Sequence, residues 1–158
     1  MSTPVYMSDT PRMSALEPGD FYKLNDGDDG DTIGFAFHTG GTDGTVGLDL
    51  SGPTAFQVRK LSYDMFCRRI ARRDSVTFHP CPSTHEPRLP AGQGTTIVGD
   101  DGKPLLAIAA PPSASPPDLG LLYVSLDAWA LQAHSPQAST HHNCWWLASK
   151  GAVIFQAM

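Results

Sequence analysis

Charged residues are scarce in this sequence: they make up 17% of its 158 residues, and the formal net charge is −5. A chain of this kind has no global attraction to nucleic acid or to a membrane surface. Its apolar runs fall far short of the roughly 18 residues that a spanning helix needs. Residues 1–20 also lack the basic start and the apolar stretch of a signal peptide. We therefore expect a soluble chain that stays in the cytosol.

Cysteine is also rare, with three residues at irregular spacing. An odd number argues against a disulfide scaffold and is typical of a reducing compartment. Gly and Pro are abundant instead, at 15 and 14 residues, which is typical of a loop-rich globular domain. The length is sufficient for one core. We expect a flexible arm over residues 1–16 and a single domain over residues 17–158, with a Pro-rich insertion at about 80–117.

Alternating apolar residues predict a β-meander in the first part of the chain. The turn signal Glu17-Pro18-Gly19-Asp20 leads into a short strand at residues 21–24, and residues 25–31 form an acidic hairpin tip. Residues 33–37 and 46–50 then alternate as two strands around a Gly-rich turn, and residues 55–60 add another. Further along, short strands are predicted at 76–78, 95–98 and 105–109, and residues 152–155 are expected to form a short apolar strand or tail.

Two longer segments predict helices. In residues 62–73 the apolar side chains recur at i, i+3, i+4 and i+7, which is one face of a helix. These side chains are Tyr63, Phe66, Cys67 and Ile70. Residues 118–132 predict a second helix that Asp118 would cap, with Leu121, Leu122, Leu126 and Trp129 as its apolar set.

The pair Asn143-Cys144 precedes a bulky apolar run and predicts a third, short helix. Asn is a good N-cap, and Lys150-Gly151 is typical of a helix C-terminus. Cys144 would then lie in the first turn, where unpaired backbone N–H groups and the helix dipole favour thiolate over thiol. That makes Cys144 a candidate nucleophile. The alternative is a buried structural cysteine.

Basic residues concentrate between positions 59 and 73, which hold six of the eleven Lys and Arg residues. They are Arg59, Lys60, Arg68, Arg69, Arg72 and Arg73. Such a patch can bind phosphates of RNA or anionic lipid headgroups. The alternative is a solvated helix face balanced by the acidic loops, since no aromatic residues interleave with the arginines.

Metal and cofactor sites are not expected. His79, Cys81 and His85 are ligand types, but they lie between prolines without a second cysteine pair. The acidic tip at residues 25–31 lacks the closing Glu of a calcium loop. We therefore predict no metal and no cofactor.

The order of these motifs resembles the H-box/NC family: a Pro-Gly-Asp turn, an aromatic strand, a meander, a strand and helix, a variable middle and a late Asn-Cys pair. Its cellular members are phospholipase A/acyltransferases and lecithin:retinol acyltransferase, and its viral members include 2A proteins of kobuviruses and parechoviruses. The resemblance covers roughly residues 17–147. It implies an α+β fold, with an antiparallel β-meander packed against helices in a circularly permuted NlpC/papain-like arrangement.

The resemblance also implies roles for single residues. Cys144 matches the family nucleophile and Asn143 its neighbour, and Asp49 falls where cellular members carry the third, orienting residue. Thr32 or Asp31 occupies the position of the H-box histidine, and neither serves as a base at neutral pH. The nearest histidine, His38, lies at the far end of that strand, about 20 Å away along extended chain.

The expected function depends on the absence of a histidine at the position of the general base for Cys144. A thiol with a pKa near 8.5 is only slightly ionised at neutral pH, and general-base help contributes about 10²–10⁴ in rate. We therefore expect a non-catalytic protein, and the resemblance to the viral members implies a 2A-type role in genome replication in the host cell cytoplasm. Its expected partners are RNA or host proteins, and peripheral membrane contact stays open. The alternative is a cysteine-dependent phospholipid acyltransferase or phospholipase, with Cys144 as nucleophile, His38 as base and Asp49 as orienting residue.

Overall fold

The fold of the chain is given by a computed structural model, which describes residues 10–25, 30–41, 44–81, 93–109, 121–132 and 140–157. Strands dominate these ranges and form three antiparallel sheets. The helical segments in them are two 3₁₀ turns, Met13–Ala15 and Arg73–Ser75. The chain divides into two compact units, Met1–Ser75 and Val76–Met158. The single-domain expectation for residues 17–158 stays a prediction.

Unit 1 contains one five-stranded sheet in the order β4-β3-β2-β1-β5. Its strands are β1 (Phe21–Asn25), β2 (Asp31–His38), β3 (Thr45–Asp49), β4 (Val58–Arg59) and β5 (Arg68–Ala71). The first four neighbours follow the chain order, so the β-meander expected from the alternating apolar residues is confirmed. Short strand β5 then returns to pair with β1 on the opposite side of the sheet.

Apolar side chains cover both faces of this sheet. On one face, a buried cluster surrounds Tyr22, and it consists of Met13, Leu16, Tyr22, Leu24, Ala36 and Cys67. On the other face, the rings of Phe21 and Phe35 lie 5.4 Å apart and those of Phe35 and Phe37 6.2 Å apart. Because successive side chains of a strand point to opposite faces, Phe35 and Ala36 can both be fully buried.

Unit 2 contains the other two sheets. Its strands are β6 (Val76–Pro80), β7 (Thr96–Val98), β8 (Pro104–Ala109), β9 (Leu121–Ser125), β10 (Leu131–Gln132), β11 (Thr140–His142), β12 (Trp145–Ser149) and β13 (Ala152–Ala157). Five of them form a sheet in the order β10-β9-β8-β7-β11, and the remaining three form the order β13-β12-β6. The short strands predicted at residues 76–78, 95–98 and 105–109 are therefore confirmed, with shifted ends, and of the two forms expected for residues 152–155 the strand is the one found.

Trp145 is the centre of the three-stranded sheet's buried face. Its ring is completely buried and lies 5.3 Å from that of Phe155 and 6.1 Å from that of Phe78. The indole N–H donates a 2.9 Å hydrogen bond to the carbonyl of Gly94. Burying so large a side chain is strongly favourable, and the hydrogen bond removes the cost of burying its polar atom.

The predicted α+β class, with a meander packed against helices in a permuted NlpC/papain-like arrangement, is wrong: the described residues contain no α-helix. Residues 62–73 form a turn, an extended segment and strand β5. In that segment Cys67 is buried, whereas Tyr63 and Phe66 are exposed. A helix would have put these three side chains on one buried face, but pairing of β5 with β1 decides the conformation here.

The other two predicted helices are also strands. Residues 121–125 form β9, a turn follows at 126–128, and residues 131–132 form β10; Asp118 lies outside the described residues. In place of a helix after Asn143-Cys144, strand β12 alternates buried Trp145, Leu147 and Ser149 with half-buried neighbours. Hydrogen bonding to β6 on one side and β13 on the other stabilises that extended conformation.

No helix in the described ranges has the length and apolar composition required to span a membrane.

Candidate functional site

Cys144, the candidate nucleophile, lies in a bend directly before β12 and forms a disulfide with Cys81. The two Cα atoms are 5.4 Å apart, and the Cys81 N–H donates a 3.0 Å hydrogen bond to the Cys144 carbonyl. The sulfur is therefore engaged in a covalent bond and lacks the helix N-terminus that would favour a thiolate. The argument against a disulfide scaffold did not predict this single pair, and the third cysteine, Cys67, is free and buried.

Asn143, the other half of the motif, positions the bend rather than capping a helix. Its side-chain oxygen accepts a 2.9 Å hydrogen bond from the hydroxyl of Thr95, which lies next to strand β7. The bend thus connects the two sheets of unit 2, since β12 belongs to one of them and β7 to the other.

Asp49, the candidate orienting residue, is the centre of a buried hydrogen-bond network and is 1% exposed. Its Oδ1 accepts hydrogen bonds from the Tyr22 hydroxyl at 2.7 Å and from Arg59 Nε at 2.9 Å. Its Oδ2 accepts from the Thr54 hydroxyl at 2.6 Å and from Arg59 Nη2 at 2.8 Å. Arg59 Nε also donates to Oδ2 at 3.1 Å, so each oxygen accepts at least two hydrogen bonds. This is the arrangement of a structural carboxylate, which ties β1, β3, β4 and the loop before β4 together.

Burial raises the pKa of Tyr22 well above its usual value, and the negative charge of Asp49 raises it further. The phenol therefore stays protonated and remains a donor to Asp49. Burial likewise raises the pKa of the Cys67 thiol. Both groups are held in their neutral forms, which fits a role in the core.

The candidates for the role of the missing H-box histidine do not come together with Asp49. Thr32 is buried in β2, whereas Asp31 is exposed and its carboxylate lies 3.0 Å from Lys23 Nζ. His38, at the other end of β2, is exposed, and its Nδ1 accepts a hydrogen bond from the Gly40 N–H. His38 pairs with Thr45 and not with Asp49, whose partner on β2 is Gly34. Four residues of strand, about 13 Å, separate the two positions. Unit 1 therefore does not bring His38 and Asp49 together.

The basic segment is split between opposite edges of the unit 1 sheet. Arg59 ends β4 and Lys60 follows it, whereas Arg68 and Arg69 lie in β5 at the other edge. Four strand spacings separate those edges, which is about 19 Å. Residues that are adjacent in sequence are therefore not a single patch in space, and the predicted basic helix face is wrong.

The arginines near β5 differ in how their charges are used. Arg69 lies 3.7 Å from the buried carboxylate of Asp20, and Arg73 lies 4.0 Å from the exposed Asp74. Arg68 and Arg72 are exposed and form no ion pair with any residue that the structure describes. Two cations next to β5 are thus available to a partner.

Beside these arginines lies a surface that the sequence did not reveal. Tyr63 is 66% exposed, Phe66 55% and Met65 37%, which is rare for side chains of this size. The Arg12 guanidinium lies between the two rings, 4.3 Å from the Tyr63 centroid and 4.5 Å from the Phe66 centroid. We call Arg12, Tyr63, Met65 and Phe66 the aromatic surface.

Backbone pairing holds the aromatic surface in place. Residues Arg12 and Phe66 form an antiparallel bridge, and the N–H of Met13 donates to the carbonyl of Met65 at 2.8 Å. Phe66 and Arg68 flank the buried Cys67, so both project to the same side of the extended segment. Helical periodicity concealed this surface because it assigned Tyr63 and Phe66 to the core. The sequence did contain one indication of this surface. Arginines follow Tyr63 and Phe66 closely, and apolar residues next to several arginines are candidates for contact with a partner.

Metal ligands are not grouped in the described part of the chain: it contains no cluster of three or more His, Cys, Asp or Glu side chains suited to a metal ion. His79 instead stacks on Trp146, with ring centroids 5.2 Å apart and a 13° angle between planes. His85 and the acidic residues 26–29 lie outside the described residues.

Comparison of this chain with protein-family models, with curated proteins and with solved structures finds no match.

Proposed function

We propose that this chain is a non-catalytic interaction protein that binds a protein partner through the aromatic surface. The observation that supports this most is the exposure of Tyr63, Met65 and Phe66 within four residues of each other. Tyr, Phe, Met and Arg are the residue types enriched in the centres of protein interfaces, where they supply most of the binding energy. The backbone hydrogen bonds to residues 11–13 fix the main chain that carries these side chains before a partner arrives, which lowers the entropy cost of binding.

A protein partner is favoured over RNA by the charge distribution. Residues 1–75 contain eight Lys or Arg and eleven Asp or Glu, a formal charge of −3. Single-strand RNA binding combines stacking rings with a basic groove along the backbone. Here Arg59 and Lys60 lie at the far edge of the sheet, and Arg59 is bound to Asp49. The remaining cations can pair with a few carboxylates more readily than they can follow a chain of phosphates.

The chemistry of the partner follows from the same groups. Arg68 is exposed and projects to the same side of the chain as Phe66, and Arg12 adds a charge between the two rings. The complementary surface is an apolar patch with Asp or Glu side chains at its rim. Such rim pairs contribute mainly to the rate of association, so binding should weaken with salt but should not be abolished by it.

Two features support the non-catalytic part of the proposal. Cys144 lies in a bend before β12, so the helix N-terminus that would favour its thiolate is missing even where a reducing compartment opens its bond to Cys81. Both oxygens of Asp49 are occupied by structural donors. We further propose a viral 2A-type role in genome replication, with a host protein as partner in the cytoplasm. The H-box/NC resemblance supports this part of the proposal. Of its two best motifs, the Glu17–Asp20 turn keeps its form, with the Asp20 N–H bonded to the Glu17 carbonyl. The Asn-Cys helix is not kept.

The test is site-specific crosslinking in the cells in which the chain is naturally made. A photoreactive phenylalanine analogue replaces Met65, at the centre of the aromatic surface, or Ala128, an exposed turn residue of unit 2. We expect a protein adduct that forms at position 65, is absent at position 128, and disappears when Tyr63→Ser and Phe66→Ser are added. The purified adduct protein should then bind the purified chain directly, and less tightly at higher salt.

Two results would count against the proposal. Adducts at position 65 that survive the Tyr63→Ser and Phe66→Ser changes would show that the surface is not recognised. Crosslinking of position 65 to RNA, with gel-shift binding of single-stranded RNA that Arg68→Glu and Arg72→Glu abolish, would establish nucleic acid as the partner instead.

A further inference from the structure

The outer edge of β13 differs from the other strand edges of the described sheets. β13 is six residues long, and residues 152–157 read Ala-Val-Ile-Phe-Gln-Ala. It contains no charged residue and no proline, and its β-branched and aromatic residues favour extended structure. On its other side β13 pairs with β12, and no strand in the described ranges pairs with its outer edge. Val153 is 59% exposed.

The five other edge strands in the described sheets each carry a feature that discourages further pairing. β4 and β10 have two residues each, and β11 has three. β5 carries Arg68 and Arg69, and β6 ends in Pro80. Short length, charge and proline are the means by which natural proteins prevent edge-to-edge association. Their absence from β13 alone indicates that this edge is used.

We propose that β13 pairs antiparallel with β13 of a second copy of this chain. The two three-stranded sheets become one six-stranded sheet in the order β6-β12-β13-β13-β12-β6. Main-chain N–H and C=O groups on the two outer edges supply the hydrogen bonds, and Val153 and Ile154 gain contacts across the new pair.

Symmetry favours a second copy over another partner. An antiparallel pair of identical strands has a two-fold axis, so every contact made by one copy is repeated by the other. Because β13 has no charge, no like charges meet across that axis in any register. Two six-residue strands bury much less than the roughly 1,600 Å² of a standard interface, so the dimer is expected to be weak and to depend on concentration.

The test is sedimentation equilibrium of the full chain over a wide concentration range. We expect a reversible monomer–dimer equilibrium. The double variant Val153→Lys and Gln156→Lys places charge on the shared edge of both copies, and it should weaken dimerisation by at least about tenfold. Both positions are exposed, so the fold should survive. The matched control is Ala128→Lys with Gln132→Lys, which adds the same charge to the same unit and should leave the dissociation constant unchanged.

Hydrogen exchange locates the interface. Amides of Ala152–Ala157 should become better protected as concentration rises, and those of the residues around Tyr63 should not. A chain that stays monomeric at the highest soluble concentration would overturn the proposal. So would a dimer that both lysine pairs weaken equally, or one whose protection appears around Tyr63 and not along β13.

Discussion

The hydroxyl of Tyr22 donates a 2.7 Å hydrogen bond to Oδ1 of Asp49, although a whole strand lies between the two residues. Tyr22 is paired with Gly34, and Gly34 with Asp49, so the three residues form one row across β1, β2 and β3. The phenol ring can cross β2 because Gly34 has no side chain. A glycine, a tyrosine and a carboxylate that are distant in sequence thus form one structural unit.

Replacing Gly34 tests that unit directly. A Cβ built at Gly34 would overlap the Leu48 carbonyl oxygen and the Tyr22 hydroxyl, of which the first belongs to the backbone and cannot rotate away. We expect Gly34→Ala to lower the free energy of unfolding by about 3 kcal/mol, the upper end of what overpacking costs. Gly41→Ala is the matched control, since a Cβ there meets nothing within 4 Å. Urea unfolding measures the free energy of unfolding of both variants. Equal values for Gly34→Ala and Gly41→Ala would refute the close packing around Gly34.

Removing the Asp49 charge should also be costly. In Asp49→Asn, the Arg59 guanidinium loses its paired carboxylate in a site where Arg59 is only partly exposed. Breaking a fully buried pair costs about 3–5 kcal/mol, so we expect about 2–3 kcal/mol here. Asp74→Asn removes an equal charge from a solvent-exposed carboxylate and should change stability by less than about 0.5 kcal/mol. If Asp49→Asn is as stable as the wild type, the network does not hold the sheet together.

High pH should weaken the fold through Tyr22. Burial raises the pKa of Tyr22 in the folded state, whereas in the unfolded chain it ionises near its usual pKa of about 10. The folded state therefore keeps a proton that the unfolded state loses. Its stability contribution is complete below pH 10 and is lost as the pH rises from about 10 towards the folded-state pKa. The slope approaches about 1.4 kcal/mol per pH unit. Tyr22→Phe should lack this slope, and parallel profiles for the two proteins would contradict the assignment.

The strands of unit 1 could be predicted because their signal is local. Phe35 and Phe37 alternate with Gly34 and Ala36, and this period of two persists whatever the rest of the chain does. Their pairing was also predictable, since few residues separate consecutive strands in the sequence. In unit 2 the consecutive strands β6 and β7 lie in different sheets, as do β11 and β12. No local signal in the sequence shows which strand joins which sheet.

The helices were mispredicted because sparse apolar residues fit two periods. Tyr63, Phe66, Cys67 and Ile70 match a helix, but only Cys67 is fully buried, and Tyr63 and Phe66 face solvent. Backbone hydrogen bonds to residues 11–13 and to β1 hold residues 65–71 in an extended conformation. Contacts between residues about 50 positions apart in sequence override the local helix preference. The local sequence pattern does not reveal them.

The pair Lys150-Gly151 is compatible both with a helix C-terminus and with a β-hairpin turn. We interpreted it as a helix C-terminus, but both residues have positive φ, 53° and 84°, and they form the two-residue turn between β12 and β13. A two-residue hairpin of this type requires left-handed backbone at both positions, and glycine adopts it at little cost. The alternation of Trp145, Leu147 and Ser149 before the turn was the cue that a strand, and not a helix, ends there.

The disulfide between Cys81 and Cys144 should stabilise the chain measurably. It closes a loop with a sequence separation of 63 residues, and restricting the unfolded state in this way contributes about 2–4 kcal/mol. We expect Cys81→Ser with Cys144→Ser to lose that amount under oxidising conditions, while in a thiol reductant the wild type falls to the stability of the variant. The variant itself should not respond to the reductant, which controls for effects on Cys67. Alkylation in urea without reductant should modify Cys67 alone. Modification of all three cysteines there, or of Cys144 in the folded chain, would instead reopen Cys144 as a nucleophile.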